Sequence, residues 1–195
     1  MAPRARHKLL LTGFGPFGTI ADNPSGRILP ALQASLEELL GAWMTITARR
    51  LGVQFGAIDA CDPAAYDMAV SLGVDAKATS IRVETHACNH FIDLEGRARA
   101  IDETQLAPLI AGKPLPPLPS QVGNWEVTEG TASSAGTFVC NQTYYTLCRT
   151  QGTHGYFIHI PNVEPDHDGA FVSALTELIG VLLHASSPAT AAATP

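Results

Sequence analysis

Three residues of this sequence combine type and position in a way that could do chemistry. Cys140 closes the stretch Ser133-Ser-Ala-Gly-Thr-Phe-Val-Cys140-Asn141, where small residues bring the chain tightly up to a cysteine that opens a predicted helix. Free N–H groups and the helix dipole at that end favour a thiolate and can bind an oxyanion. A thiol nucleophile needs an imidazole to take its proton and a third group to orient the imidazole. His159 stands at the carboxyl end of the apolar run Tyr156-Phe-Ile-His-Ile-Pro161, and Glu84 lies inside Ile81-Arg-Val-Glu-Thr-His86. A carboxylate in an otherwise buried-looking strand is costly unless paired, and His159 would be a fitting partner. On spacing alone, a small buried hydrophobe at Cys140 and a core histidine at 159 suit the sequence as well.

Other clusters compete for a functional reading. Gly13-Phe-Gly15-Pro-Phe-Gly18 fits the dinucleotide pattern G-x-G-x-x-G after a strand, so an NADP-binding, non-catalytic protein is a rival. Pro16 removes an N–H that a phosphate would use, two phenylalanines crowd the turn, and the helix starts only near Asn23. Where an acid is expected to close the second strand, the chain has Arg49-Arg50. A structural turn, or an apolar pocket built from Phe14 and Phe17, explains the loop better. His86, Cys88 and His90 share one strand parity, and Glu164, Asp166, His167 and Asp168 cluster later, but neither set has a zinc-motif spacing. The expectation is no metal and no cofactor.

The elements that must position these residues alternate. A buried strand is predicted over Lys8 to Thr12 and a helix after Asn23-Pro24-Ser25, with Pro30 forcing a kink or a late start. Further strands are predicted near 44 to 50, from Asp67 to Gly73 after a short helix, over Thr79 to Ala87, and over Gly155 to Ile160. Helices are predicted from Cys140 to Arg149 and from Gly169 to His184. Between 90 and 130 periodicity is lost, and Gly112-Lys-Pro-Leu-Pro-Pro-Leu-Pro119 suits only an irregular excursion. Alternation of this kind implies an α/β fold, a three-layer α/β/α sandwich with a mostly parallel twisted sheet and ligands at the carboxyl ends of its strands. Residues 1–185 are expected to form a single domain, with a loose Ala/Ser/Thr/Pro tail over 186–195.

Composition limits the partners. The chain has 195 residues, 46% hydrophobic and only 15% charged, against roughly 25% charged in soluble domains, so it is rich in core and poor in surface charge. A net charge of −6 without a clustered basic stretch argues against nucleic acid. Four cysteines without a CxxC pattern fit free thiols in a reducing compartment. The N-terminus mimics a signal peptide, but Leu9 to Leu11 are too short an apolar run, and no run is long enough to span a membrane.

Four ordered blocks carry a family resemblance. Leu10-Leu-Thr-Gly-Phe-Gly-Pro-Phe-Gly18 with Asn23-Pro24-Ser25, Glu84 followed by Ala87 and Asn89, Ala135-Gly-Thr-Phe-Val-Cys-Asn141, and Phe157-Ile-His-Ile-Pro161 resemble the signature blocks of pyroglutamyl peptidase I. The resemblance implies a cytoplasmic cysteine exopeptidase with an α/β/α sandwich and no cofactor, a homo-oligomer (dimer or tetramer) that removes N-terminal pyroglutamyl residues from peptides. By motif, Cys140 is the nucleophile, His159 the base and then acid, and Glu84 the residue that orients and charges His159. Phe14, Phe17 and Phe138, with Asn23, match positions of the substrate slot. The sequence also departs from the family. A glutamine-and-arginine turn of the family reads Gly73-Val-Asp-Ala-Lys-Ala78, so Val74 and Ala78 stand at those two positions, and the arginine ten residues beyond the glutamate aligns with Leu94. Arg97 or Arg99 could replace that arginine only if the loop is shifted. The stretch from Cys140 to His159 is also shorter than is usual in the family. A related hydrolase of another small amide or lactam is therefore the alternative.

Overall fold

The computed structural model describes residues 6–93, 96–103 and 109–185. In chain order the elements are β1 (His7–Phe14), α1 (Pro24–Arg27), α2 (Leu29–Leu40), β2 (Met44–Leu51), β3 (Met68–Val74), β4 (Ile81–Val83), β5 (His86–Cys88), β6 (Phe91–Ile92), β7 (Ala98–Arg99), β8 (Leu109–Ala111), β9 (Gln121–Val122), β10 (Trp125–Glu129), α3 (Val139–Arg149), β11 (His154–Ile160) and α4 (Asp168–Ala185). Seven strands make one sheet in the order β2-β1-β3-β11-β4-β10-β9. Its pairs are parallel except β11 with β4 and β10 with β9.

Strand alternation divides the core into two layers. Leu9 and Leu11 of β1, Met68, Val70 and Leu72 of β3, and Tyr156, Ile158 and Ile160 of β11 pack with the apolar stripes of α2 and α4. Leu10, Phe14, Ala69 and Phe157 point the other way and pack with Val139, Tyr144, Tyr145 and Leu147 of α3. Leu9, Leu10 and Leu11 are all fully buried, as a strand covered on both faces requires. This is the α/β/α arrangement that the alternation implied.

Pro30 falls in the first turn of α2, and the helix that was expected to kink is two helices separated at Ile28. A proline there has no N–H to offer the preceding turn. At the end of β1, a Cβ on Gly13 would come within 1.9 Å of the Ser25 carbonyl oxygen, and one on Gly26 within 2.3 Å of the Phe14 oxygen. Strand and helix thus meet backbone to backbone, which fixes the loop between them over the end of the sheet.

Two expectations are corrected. The strand predicted over 79–87 is split into β4, in the main sheet, and β5, which pairs antiparallel with β8. The break falls at Glu84 and Thr85: the Glu84 N–H donates to the Phe157 carbonyl, and the Thr85 hydroxyl donates to the Gly130 carbonyl. Glu84 therefore lies just past the carboxyl end of β4 rather than in mid-strand. The excursion over 90–130 also contains more structure than its sequence suggested. After the irregular Gly112 to Pro119 run, β9 and β10 rejoin the main sheet, where Trp125 packs on Phe171 of α4 at 4.8 Å between ring centroids. The 186–195 tail and Leu94 lie outside the described residues. No described helix is long and apolar enough to cross a membrane.

Candidate active site

Register brings the charged residues together. On β11, Phe157 and His159 point toward α3, opposite to Ile158 and Ile160. β4 pairs antiparallel with β11 so that Arg82 lies across from His159. Ile81 and Val83 join the α2/α4 core, which turns Arg82, and Glu84 two residues on, to the α3 side.

His159 Nδ1 donates to Glu84 Oε1 over 2.6 Å, with the ring only 6% exposed and Glu84 fully buried. Glu84 accepts from two more donors: Arg82 Nε at 2.8 Å on Oε1, and the Ser134 hydroxyl on Oε2. Cys140 and His159 line the same cavity wall, and the thiol is close enough to the imidazole to help raise its pKa. Cys140 is the second residue of α3, whose N-terminus has no side-chain cap, so its first N–H groups have no intrahelical acceptor. Unpaired N–H groups at a helix start favour an anion beside them. Gly73 makes room for the sulfur: a Cβ there would stand 2.9 Å from Cys140 Sγ and 2.8 Å from Phe157 Cζ.

Cys140 and His159 open onto a cavity of about 350 Å³. Phe14, Phe17, Ile20, Val53, Val74 and Phe138 supply its apolar wall, and Asn23, Asp75 and Arg82 its polar part. Phe17 packs on Phe138 at 5.4 Å, and Phe55 backs Phe138 at 5.3 Å. Asn23 serves first as the cap of α1: its Oδ1 accepts from the Ser25 N–H and hydroxyl, and its Nδ2 donates to the Gly15 carbonyl. All seven residues singled out in the sequence, Cys140, His159, Glu84, Phe14, Phe17, Phe138 and Asn23, meet here, Glu84 from behind His159 and the others on the cavity wall. Arg82, Asp75 and Ser134 were not singled out. The available signal was the parity of Arg82 with Glu84, two polar residues on one side of an otherwise apolar strand.

The rival sites do not assemble. In the Gly13 to Gly18 loop the Phe14, Gly15 and Phe17 amides already donate to Ser25 Oγ, the Leu51 carbonyl and the Ile20 carbonyl, so no cradle of N–H groups faces a phosphate. Among the described residues no group of three or more His, Cys, Asp or Glu could hold a metal ion. Arg97 and Arg99 pair with Asp93, at 3.0 Å and 2.7 Å, and neither lines the cavity.

Electrostatics follow from this geometry. Burial would lower the pKa of His159, but its interactions with Cys140 and Glu84 outweigh that and raise it to about 9. Burial would raise Glu84, but donation from His159, Ser134 and Arg82 holds it below its ordinary 4.5. Burial pushes the Cys61 and Cys88 thiols up, and Cys148 to about 12. Stability is linked to these shifts. The raised His159 contributes fully below its ordinary 6.5 and loses that contribution as pH rises through about 9. The depressed Glu84 contributes above 4.5 and loses its part as pH falls through its folded value. The melting temperature is therefore expected to be highest between these two ordinary values and to decline from pH 6.5 toward 9. A flat melting curve series over that upper range would contradict the assignment of the proton to His159.

Comparison with known proteins places the chain. A family model described as pyroglutamyl peptidase matches residues 7–169. The pyrrolidone-carboxylate peptidase of Chromobacterium violaceum is 33% identical over 193 residues, covering 89% of this chain and 88% of the relative. That of Erwinia tasmaniensis is 31% identical over 194 residues, covering 88% and 87%. Among solved structures, pyroglutamyl peptidase I of Bacillus amyloliquefaciens superposes with a TM-score of 0.72 at 22% identity, over 93% of this chain and 99% of that one. The pyrrolidone carboxyl peptidase of Thermococcus litoralis does so with a TM-score of 0.70 at 19% identity, over 91% and 94%.

Proposed function

The chain belongs to the pyroglutamyl peptidase family of cysteine peptidases, and from that premise we propose that it removes N-terminal pyroglutamyl residues from peptides through Cys140, His159 and Glu84. The observation that carries this reading is the position of His159, bonded to the buried Glu84 and sharing the wall of one apolar cavity with Cys140.

Cys140 Sγ, its proton already passed to Nε2 of His159, attacks the carbonyl carbon that joins the pyroglutamyl residue to the next one. The developing oxyanion is met by the N–H groups at the start of α3. As the C–N bond breaks, His159 returns the proton to the leaving amine. Water, deprotonated by the same imidazole, then cleaves the thioester and frees the thiol. Glu84 keeps Nδ1–H pointed inward, so that Nε2 is the nitrogen facing the sulfur, and balances the imidazolium. The aromatic wall accepts a neutral lactam ring; a charged amino terminus would have to compete with Arg82 for Asp75, the carboxylate on the wall.

Hydrolysis of a pyroglutamyl-coumarin amide tests the reading, with prolyl- and alanyl-coumarin amides as comparison. Turnover of the first at least about 100-fold above the others is expected, from the cost of burying an ammonium that must take Asp75 from Arg82. Equal rates, or none on the lactam, would remove pyroglutamate as the substrate. Asp75 and Arg82 on the cavity wall favour a second reading, in which the same triad acts on another small amide with a polar substituent. That reading predicts rapid alkylation of Cys140 without pyroglutamyl turnover.

A further inference from the structure

Arg82 has no part in the steps above, yet it is tied into the site by two carboxylates. Its side chain, 21% exposed, reaches two carboxylates: Nε donates to Glu84 Oε1 at 2.8 Å, and Nη2 to Asp75 Oδ2 at 3.0 Å. We infer that Arg82 is a positioning residue, a guanidinium clamp that holds the Glu84 carboxylate ionised and in the orientation that fixes the His159 ring. The inference rests on the triad reading but not on the identity of the substrate.

Geometry carries it. Oε1 of Glu84 receives both Arg82 Nε and His159 Nδ1, and Oε2 receives Ser134, so donors on both oxygens fix the plane of the carboxylate. A guanidinium with two adjacent carboxylates is held along its own plane and cannot rotate away, which a lysine could not reproduce. The second carboxylate belongs to the segment after β3, where the Asp75 N–H donates to the Ile160 carbonyl of β11. The clamp thus ties the ends of β3, β4 and β11 around one charge.

The charge balance has the same consequence. The groups facing Glu84 are His159 from β11, Arg82 from β4 and the Ser134 hydroxyl, while from α3 the Tyr144 hydroxyl donates to its backbone carbonyl. Asp75 joins through Arg82, and Cys140 through His159. With Arg82 present, two cations face two carboxylates. Without it, Glu84 and Asp75 share one imidazolium in a buried setting, and Glu84, the more deeply buried, takes up a proton at a higher pH. A protonated Glu84 no longer balances the imidazolium, so the reactive thiol is lost on the acid side.

The test follows Cys140 alkylation by iodoacetamide against pH, with the labelled residue identified by peptide mapping. It is combined with the downfield proton resonance of His159 Nδ1–H, which needs no substrate. Arg82→Gln is expected to move the acid limb of alkylation, and the pH at which that resonance disappears, upward by about one pH unit. Arg82→Lys, which keeps the cation, moves both by less than half as much. Asp75→Asn leaves more of the Arg82 charge for Glu84 and moves the limb the other way; it serves as the probe should Arg82→Gln not fold. A lowered melting temperature with both pH values unmoved in folded variants would make Arg82 merely structural and overturn the inference. A wild type whose Cys140 alkylates like an ordinary thiol would overturn the triad and the clamp together. Failure to cleave a pyroglutamyl amide, with the limbs moving as stated, would overturn only the substrate reading.

Discussion

Replacing Cys140 by alanine is expected to lower kcat on a pyroglutamyl amide by about 10⁵-fold or more, the scale at which a covalent nucleophile is lost while the rest of a site remains. The size follows from what is left. His159 and Glu84 keep their 2.6 Å bond, and the start of α3 still offers its N–H groups, so only the slow attack of water remains. No other thiol can take over: burial raises Cys61, Cys88 and Cys148, and none of the three lines the cavity. The fold is expected to persist, because the sulfur packs against the open face of Gly73 rather than holding two elements together. Binding of a free lactam to this variant, followed by calorimetry, is expected to stay within a few-fold of wild type, since the phenylalanine wall is unchanged. A variant that retains a hundredth of the rate would mean that another group attacks the carbonyl.

Much of this arrangement was legible in the sequence because it depends on local rules. The parity of Phe157 and His159 against Ile158 and Ile160 fixes which face of β11 carries the imidazole, and the run of small residues before Cys140 marks the start of α3. Pro30 announced the break before α2 for the same reason. Glu84 was recognised as a buried acid that required partners, but its place was misjudged. The strand ends at Val83, one residue before Glu84, because the Glu84 N–H and the Thr85 side chain find acceptors on other segments, and no pattern within 79–87 encodes those long-range contacts. β10 was missed for a similar reason: five residues after a proline-rich run have little periodicity of their own, and pairing with β4 and packing on Phe171 make them a strand. Arg82 and Asp75 are seven positions apart and meet only because β3 and β4 flank β11. Their bond is a property of sheet order, which single-sequence periodicity does not contain.

Glu84→Gln separates the charge of the carboxylate from its shape, and the expected result is a loss of about 10²- to 10³-fold in kcat with the fold retained. An amide can present its oxygen where Oε1 now lies or where Oε2 does. Two donors, His159 Nδ1–H and Arg82 Nε–H, face the first position, so the amide oxygen is held there and the NH₂ group turns to Ser134. That hydroxyl can accept it, because its own proton has another acceptor in the Thr131 carbonyl at 3.0 Å. Every buried polar group remains partnered, and His159 keeps the tautomer that leaves Nε2 free for the thiol proton. The loss is therefore smaller than the roughly 10⁴-fold seen when an amide reverses the tautomer of a triad histidine. What disappears is the counter-charge: His159 loses one of the two groups that raise its pKa, and burial then acts against the imidazolium. The decline in melting temperature between pH 6.5 and 9 is expected to flatten in this variant, a change that kinetics alone would not reveal. A loss as large as that of Cys140→Ala, with the alkaline decline intact, would show that Glu84 acts by geometry and that the imidazolium is balanced elsewhere.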